Sequence, residues 1–375
     1  MPKDGRSVKI VMKYDVKPVS SYKIAGEPPG KRVYWPTTMK TILLTFRKRR
    51  PAANFRIEAS FAEMTAVLDG QGRVEAKELV SSRVSSGILS RCAALLEVAR
   101  KRADVFHVTD DVHFLTLALP GKRCMVTIHD VASLSRGRGA LTRWLLKKLW
   151  KDWPVRHREV ATTVSEATRL EVRRLTRCAP EKVLITPNVM WSSFKFSPKP
   201  FDSQCPTVLH IGLAPNKNFF RHVEALAGLR CELMVLGKLN DAHRSPLTKH
   251  AIEYLARENL TDPEMQAVYE GCDIVLFAST LEGFGMPIIE RNTVGRAMVT
   301  SNISSMPEVA GNAACLVDPL NVASIRGGLE RVIQDKHYRE APIEAGRSNC
   351  HRFSWHAFAE QYRETYACLA GLSKP

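Results

Sequence analysis

The sequence predicts an α/β protein made of two similar domains in series, each a parallel sheet with helices on both faces. Three observations lead there. Short apolar runs of strand length alternate with helix-length segments. The pattern breaks at a segment with three prolines, residues 197–206 (SPKPFDSQCP), and then restarts. The chain has 375 residues, 45% hydrophobic and 25% charged, which is ordinary globular usage with enough apolar material for two cores.

Residues 1–38 mix Lys, Pro and Gly with no sustained period and read as an extension, disordered by expectation. The first strand-like run is MKTILLTF (39–46), followed by the basic loop RKRR (47–50) and an apolar-periodic helix over 57–68. The runs VFHV (105–108), CMVTI (124–128), VATTV (160–164) and KVLITP (182–187) complete a first domain over 39–198. A second domain, 199–350, repeats the rhythm with TVLHIG (207–212), ELMVLG (232–237), DIVLFAS (273–279), AMVTS (297–301) and CLVDP (315–319). Residues 351–375 hold a last helix, with Ser354 as its N-cap and Trp355, Phe358, Tyr362 and Tyr366 at helical spacing.

Charge is unevenly spread. Residues 1–200 carry 38 Lys and Arg against 18 Asp and Glu, the rest 17 against 20, so the net charge of +17 resides in the first half. Such a half suits an anionic partner: a phospholipid surface, a lipid diphosphate or nucleic acid. No zinc-finger spacing or RNA-binding aromatic signature accompanies the charge, and no nucleic-acid partner is expected. The stretch 140–153 (ALTRWLLKKLWKDW) sets Leu141, Leu145, Leu149 and Trp153 along one stripe, with Arg143, Lys147, Lys148 and Lys151 largely elsewhere. It reads first as an ordinary domain helix and second as a peripheral contact with an anionic membrane.

Nine cysteines without a C-x-x-C pair fit free thiols in a reducing compartment. No apolar run approaches the roughly 18 residues of a membrane span, and no basic-then-apolar leader opens the chain. The expected setting is cytoplasmic, at most at the inner face of the membrane.

The string LEGFGMPIIERN (281–292) carries the most chemistry. It follows a strand-like run, and loops at the carboxyl ends of parallel strands are where such sheets bind ligands. Gly283 and Gly285 permit tight turns and close approach, with Phe284 between them. Pro287 suits the first turn of a helix, so the N–H groups around Met286 would form a phosphate site. Glu282 and Glu290 bracket the loop, and carboxylates accept from the vicinal hydroxyls of a sugar or ribose. Both are expected to face one cleft.

With these residues in view, the sequence resembles the family-four retaining glycosyltransferases, whose signature is two glutamates separated by seven residues. Supporting segments are HIGLAPNKN (210–218), TSNISSMPEVAG (300–311), VTIHD (126–130), TVSEAT (163–168) and TPN (186–188). The resemblance implies the GT-B architecture, two facing Rossmann-like domains, with a C-terminal helix crossing back to the first. It implies that Glu282 contacts the donor sugar, that Glu290 holds the ribose, that Lys217 neutralises the diphosphate and that His129 lines the sugar pocket. The family's usual arginine beside the lysine is replaced by Asn216. On the acceptor side Asp130, His107 and Asp110 are candidates, and Ser165 with Glu166 match a recurrent pair that could equally cap a helix.

The expected activity is retaining transfer of a hexosyl group, of mannosyl or glucosyl type, from a nucleoside-diphosphate sugar to a glycan or lipid-linked acceptor of a cell-surface polysaccharide. With no Asp-x-Asp or H-E-x-x-H motif, no metal cofactor is expected, and Lys217 and helix amides would meet the leaving charge. Rival readings are a glycoside hydrolase, which also uses paired carboxylates, a nucleotide-sugar epimerase on the same plan, and a basic nucleic-acid- or membrane-binding protein. A dehydrogenase is excluded by the lack of G-x-G-x-x-G after the first strand, and a P-loop enzyme by the lack of its motif.

Overall fold

The computed structural model describes residues 40–46, 56–69, 74–81, 87–131, 144–145, 147–190 and 194–372. The extension over 1–38 and the RKRR loop lie outside them, as do Leu141 and Arg143. Residues 32–375 form one unit holding both lobes.

The first lobe contains β1 (Lys40–Phe46), β2 (Val74–Val80), β3 (Val105–Val108), β4 (Cys124–Ile128), β5 (Val160–Thr163) and β6 (Val183–Ile185), in the spatial order β2-β1-β3-β4-β5-β6 with every pair parallel. The second contains β7 (Thr207–Ile211), β8 (Glu232–Leu236), β9 (Tyr254–Arg257), β10 (Ile274–Phe277), β11 (Ala297–Ser301) and β12 (Cys315–Val317), in the order β12-β11-β10-β7-β8-β9, again all parallel. Each is a doubly wound half, the architecture the resemblance implies. The central strands β3, β4, β10 and β11 are buried at every residue, which is why they read as mostly apolar runs.

Two strands escape the sequence reading, β2 and β9, and both stand at a sheet edge. Edge strands are not covered on both sides, so β2 (VEAKELV) interleaves charges and β9 (YLAR) is exposed at all four residues.

The last helix, Trp355–Leu369, returns to the first lobe. Ser354 Oγ accepts from Ala357 N at 3.3 Å, as its N-cap position requires. Phe358, Tyr362 and Tyr366 join Ile42, Leu44, Phe61 and Met125 in one buried cluster. Among the described residues no helix is long and apolar enough to cross a membrane, and all nine cysteines are free thiols.

The expected helix over 140–153 takes another form. Residues 144–145 are helical, Lys147–Asp152 form a π-helical turn, and Trp153–Arg156 continue as α-helix. The wider turn changes which side chains face inward. Lys151, expected on the outer cationic face, is 1% exposed, whereas Trp144, Leu145 and Trp153 are exposed and Leu149 packs partly against the core.

Candidate active site

Strand β10 delivers the chain to the glycine loop, and the helix Met286–Val294 begins directly after it. Gly285, at φ 104°, is its left-handed N-cap, and Pro287 stands in its first turn. Gly283 is required for a different reason: a Cβ there would lie 1.8 Å from the carbonyl oxygen of His129. The second lobe's loop therefore touches the strand end of the first lobe.

Glu282 is held through its backbone. Ser304 Oγ donates to the Glu282 carbonyl at 2.7 Å and accepts from its N–H at 3.2 Å, while Ser305 Oγ donates to Phe284 O at 2.8 Å. The Glu282 side chain meets Lys217, whose Nζ lies 2.7 Å from Oε1. Lys217 ends the short turn Pro215–Lys217 after β7, and its ammonium stands 4.9 Å from the centre of the Phe277 ring. Asn216 joins the same two loops: its Nδ2 donates to Leu281 O at 2.8 Å, and its carbonyl accepts from Thr280 N at 2.8 Å. Because β7 and β10 are neighbours, the two loops emerge side by side at the carboxyl ends of their strands. Asn218, at φ 64°, fixes the next turn by donating to Ala278 O and Pro319 O.

His129 follows β4. Its Nε2 is 2.7 Å from the Thr109 carbonyl, and since a carbonyl only accepts, Nε2 carries the proton. Burial pushes the imidazole below its ordinary value, reinforced by Lys151 and opposed by the Thr109 carbonyl, Asp110 and Asp130. A neutral ring with its lone pair on Nδ1 results. Asp130 is exposed beside it, and its carbonyl accepts from Lys151 Nζ at 2.9 Å. Lys151 therefore orients the His129–Asp130 loop from beneath. Asp110 is 3% exposed, with Oδ1 accepting from Asp111 N at 2.6 Å.

Two sequence expectations need correction. His107 does not face an acceptor: it is 0% exposed, with Nδ1 2.7 Å from Tyr366 Oη, Nε2 2.7 Å from Thr127 Oγ1, and the rings of Phe61 and Tyr362 against it. His107 lies in a strand buried at every residue, and the returning helix covers its side chain through Tyr362 and Tyr366. Glu290 does not open on the cleft with Glu282. It is 1% exposed, and its Oε2 accepts from Tyr269 Oη at 2.5 Å.

The structure thus brings together Asn216, Lys217, Glu282, Gly283 and Phe284 from one lobe and His129 and Asp130 from the other, with Gly285 and Met286 opening the adjacent helix. Sequence reasoning gave no role to Tyr269, Ser304, Ser305 or Glu308, and it set Lys151 on an outward cationic face. Ser304, Ser305 and Glu308 lie in the quoted segment TSNISSMPEVAG, but their partners are distant in sequence. Among the described residues no three His, Cys, Asp or Glu side chains gather into a metal-binding group.

Residues 193–349 match the family model described as glycosyl transferases group 1. The match falls on the second lobe, which is similar to that family there. It is 32% identical over 108 residues to O-antigen chain mannosyltransferase B of Escherichia coli, an alignment covering 29% of this chain and 28% of that protein. It is 30% identical over 217 residues to a serotype-specific mannosyltransferase WbdA of Escherichia coli, covering 51% of this chain and 26% of the relative. These matches span less than a third of those relatives' lengths. The MMP alpha-(1->4)-mannosyltransferase of Mycolicibacterium hassiacum aligns more broadly, at 25% identity over 74% of this chain and 73% of the relative. Among solved structures, sucrose-phosphate synthase from Thermosynechococcus elongatus superposes with a TM-score of 0.74 at 14% identity, covering 89% of this chain and 100% of that one. WaaG, a glycosyltransferase involved in lipopolysaccharide biosynthesis, gives 0.68 at 14% identity, covering 87% and 99%. At these identities the likeness in structure is one of fold.

Proposed function

We propose that this glycosyltransferase moves a hexosyl group, of mannosyl type, from a nucleoside-diphosphate sugar to a glycan or lipid-linked acceptor of a cell-surface polysaccharide. The single observation that carries the reading is the contact between Lys217 and Glu282 at the mouth of two adjacent strands, across from His129. The names of the mannosyltransferase relatives support the sugar, and a solved neighbour, HepE of Anabaena in complex with UDP and glucose, with a TM-score of 0.69, supports the donor class.

In this reading the diphosphate lies against Lys217 and the N–H groups that open the Met286–Val294 helix, where the helix dipole favours an anion. Lys217 then exchanges its contact with Glu282 for phosphate oxygens, and Glu282 is released to accept from sugar hydroxyls. As the glycosidic bond breaks, Lys217 and the helix amides meet the growing charge of the leaving diphosphate without a divalent metal. The sugar passes through an oxocarbenium-like state, the acceptor hydroxyl attacks from the face the diphosphate leaves, and the departing phosphate takes its proton, which retains the anomeric configuration. His129, neutral and fixed by Thr109, bounds the sugar on the opposite side.

Incubating the protein with nucleoside-diphosphate mannose and glucose, an oligosaccharide acceptor and chelator tests this. Transfer with the anomeric configuration kept is expected. Inversion, or activity restored only by magnesium, would overturn the mechanism.

A second location-specific reading rests on Trp144, Leu145 and Trp153, 56%, 43% and 40% exposed beside Lys147 and Lys148. This face is proposed to rest on an anionic membrane. Co-sedimentation with vesicles should rise with anionic lipid content, and indifference to that content would remove it.

A further inference from the structure

The lobes are joined by a contact that uses one helix start. In the helix Glu166–Thr176, Ser165 is the N-cap, and its Oγ accepts from Thr168 N at 3.1 Å. The first two N–H groups have no partner within the helix. Both are taken by the other lobe: Glu308 Oε1 and Oε2 each lie 2.9 Å from Glu166 N, and Oε2 lies 3.3 Å from Ala167 N. A carboxylate is thereby set on the positive end of a helix, where charge-assisted hydrogen bonds and the dipole act together.

The same turn reaches the glycine loop. Ser165 Oγ donates to Gly283 O at 2.6 Å, and Thr168 Oγ1 donates to the same carbonyl at 3.0 Å. Gly283 follows Glu282 and lies against the His129 carbonyl. One helical turn of the first lobe therefore holds both the Glu308 carboxylate and the loop that carries Glu282.

The carboxylate is not there without cost. Burial lifts Glu308 above its ordinary value, Glu166 adds to the rise, and the two N–H groups and Arg352 oppose it. Opening the lobes would rehydrate the carboxylate but leave two N–H groups to water, so the contact is suited to forming and releasing.

Resting on the reading of this site as a donor pocket, we propose that Glu308 is a positioning residue. With Thr168 it clasps the two lobes, so that Glu282 from one and His129 from the other close on the same sugar. Nucleotide binding by the second lobe does not need the clasp, whereas sugar transfer does.

The test compares the parent with Glu308→Gln and Thr168→Val. Glutamine keeps the shape but removes the charge and leaves one acceptor oxygen where the carboxylate has two, and valine removes the hydroxyl that donates to Gly283 O. Small-angle scattering should show a larger radius of gyration for Glu308→Gln, while calorimetry with a nucleoside diphosphate shows unchanged affinity. For transfer, kcat should fall by roughly tenfold or more with donor KM unchanged, and Thr168→Val should lose kcat in the same sense. Parent-like scattering and kcat in both variants would overturn the proposal, as would a rise in KM with kcat preserved. If Glu308→Gln does not fold, Thr168→Val decides alone. If the parent transfers no sugar, the donor reading fails, and the scattering comparison still decides whether Glu308 holds the lobes together.

Discussion

Lys217 and Glu282, 65 residues apart in the chain, share a 2.7 Å ion pair at the carboxyl ends of two adjacent strands, and each is largely covered. Each is the other's counter-charge, and the contact aims both side chains at the same small volume. An incoming diphosphate can compete for the cation because it offers more acceptor oxygens than one carboxylate.

Removing either charge should disable transfer without unfolding the lobe. Lys217→Ala and Glu282→Gln are each expected to lower kcat/KM by roughly a hundred- to a thousandfold, with melting temperatures near that of the parent. Initial-rate assays beside thermal unfolding check both halves of this expectation.

Gly283 tolerates no side chain. An added methyl would stand 1.8 Å from His129 O, a backbone atom that cannot swing aside. Gly283→Ala should therefore push the loop and the strand end apart, leaving nucleoside diphosphate binding in place and removing most sugar transfer. Equal activity in parent and variant would show that the two lobes do not need this approach.

Tyr269 supports a buried carboxylate. Its hydroxyl donates to Glu290 Oε2, and both residues are almost wholly enclosed. Tyr269→Phe withdraws the donor from that buried oxygen, which should cost about 1–3 kcal/mol of stability. A lowered urea midpoint with an unchanged slope is the expected observation.

Acid should weaken the second lobe through its histidines. His210 Nε2 donates to Gly212 O at 2.7 Å, His222 Nε2 lies 3.2 Å from Ala278 O, and the two Nδ1 atoms are 2.9 Å apart. Burial pushes His210 down to about 4 and His222 well below its ordinary value. A lowered folded value means the fold binds fewer protons than the unfolded chain. The stabilisation is thus complete above pH 6.5 and is lost as pH falls toward 4. For His210 alone the loss approaches about 3 kcal/mol. Urea unfolding at several pH values should show it, with a shallower pH slope in His210→Gln.

The core strands were legible because strands buried on both faces, such as CMVTI and IVLF, are written mostly in apolar residues. The edge strands β2 and β9 were not, since exposure permits the charges of VEAKELV and the mixed YLAR. In the site, Glu282, Lys217 and the glycines were readable as local strings whose chemistry depends on near neighbours. His107 and Glu290 were misplaced because burial is decided by distant partners, Tyr366 for one and Tyr269 for the other. Lys151 was hidden by a π-helical turn that no simple periodicity announces.

Lys217 is expected to hold the diphosphate, and calorimetric titration of a nucleoside diphosphate against the matching nucleoside measures this directly. In the parent the diphosphate should bind far more tightly than the nucleoside, and in Lys217→Ala most of that difference should vanish. Equal preference for the diphosphate in both proteins would contradict the account.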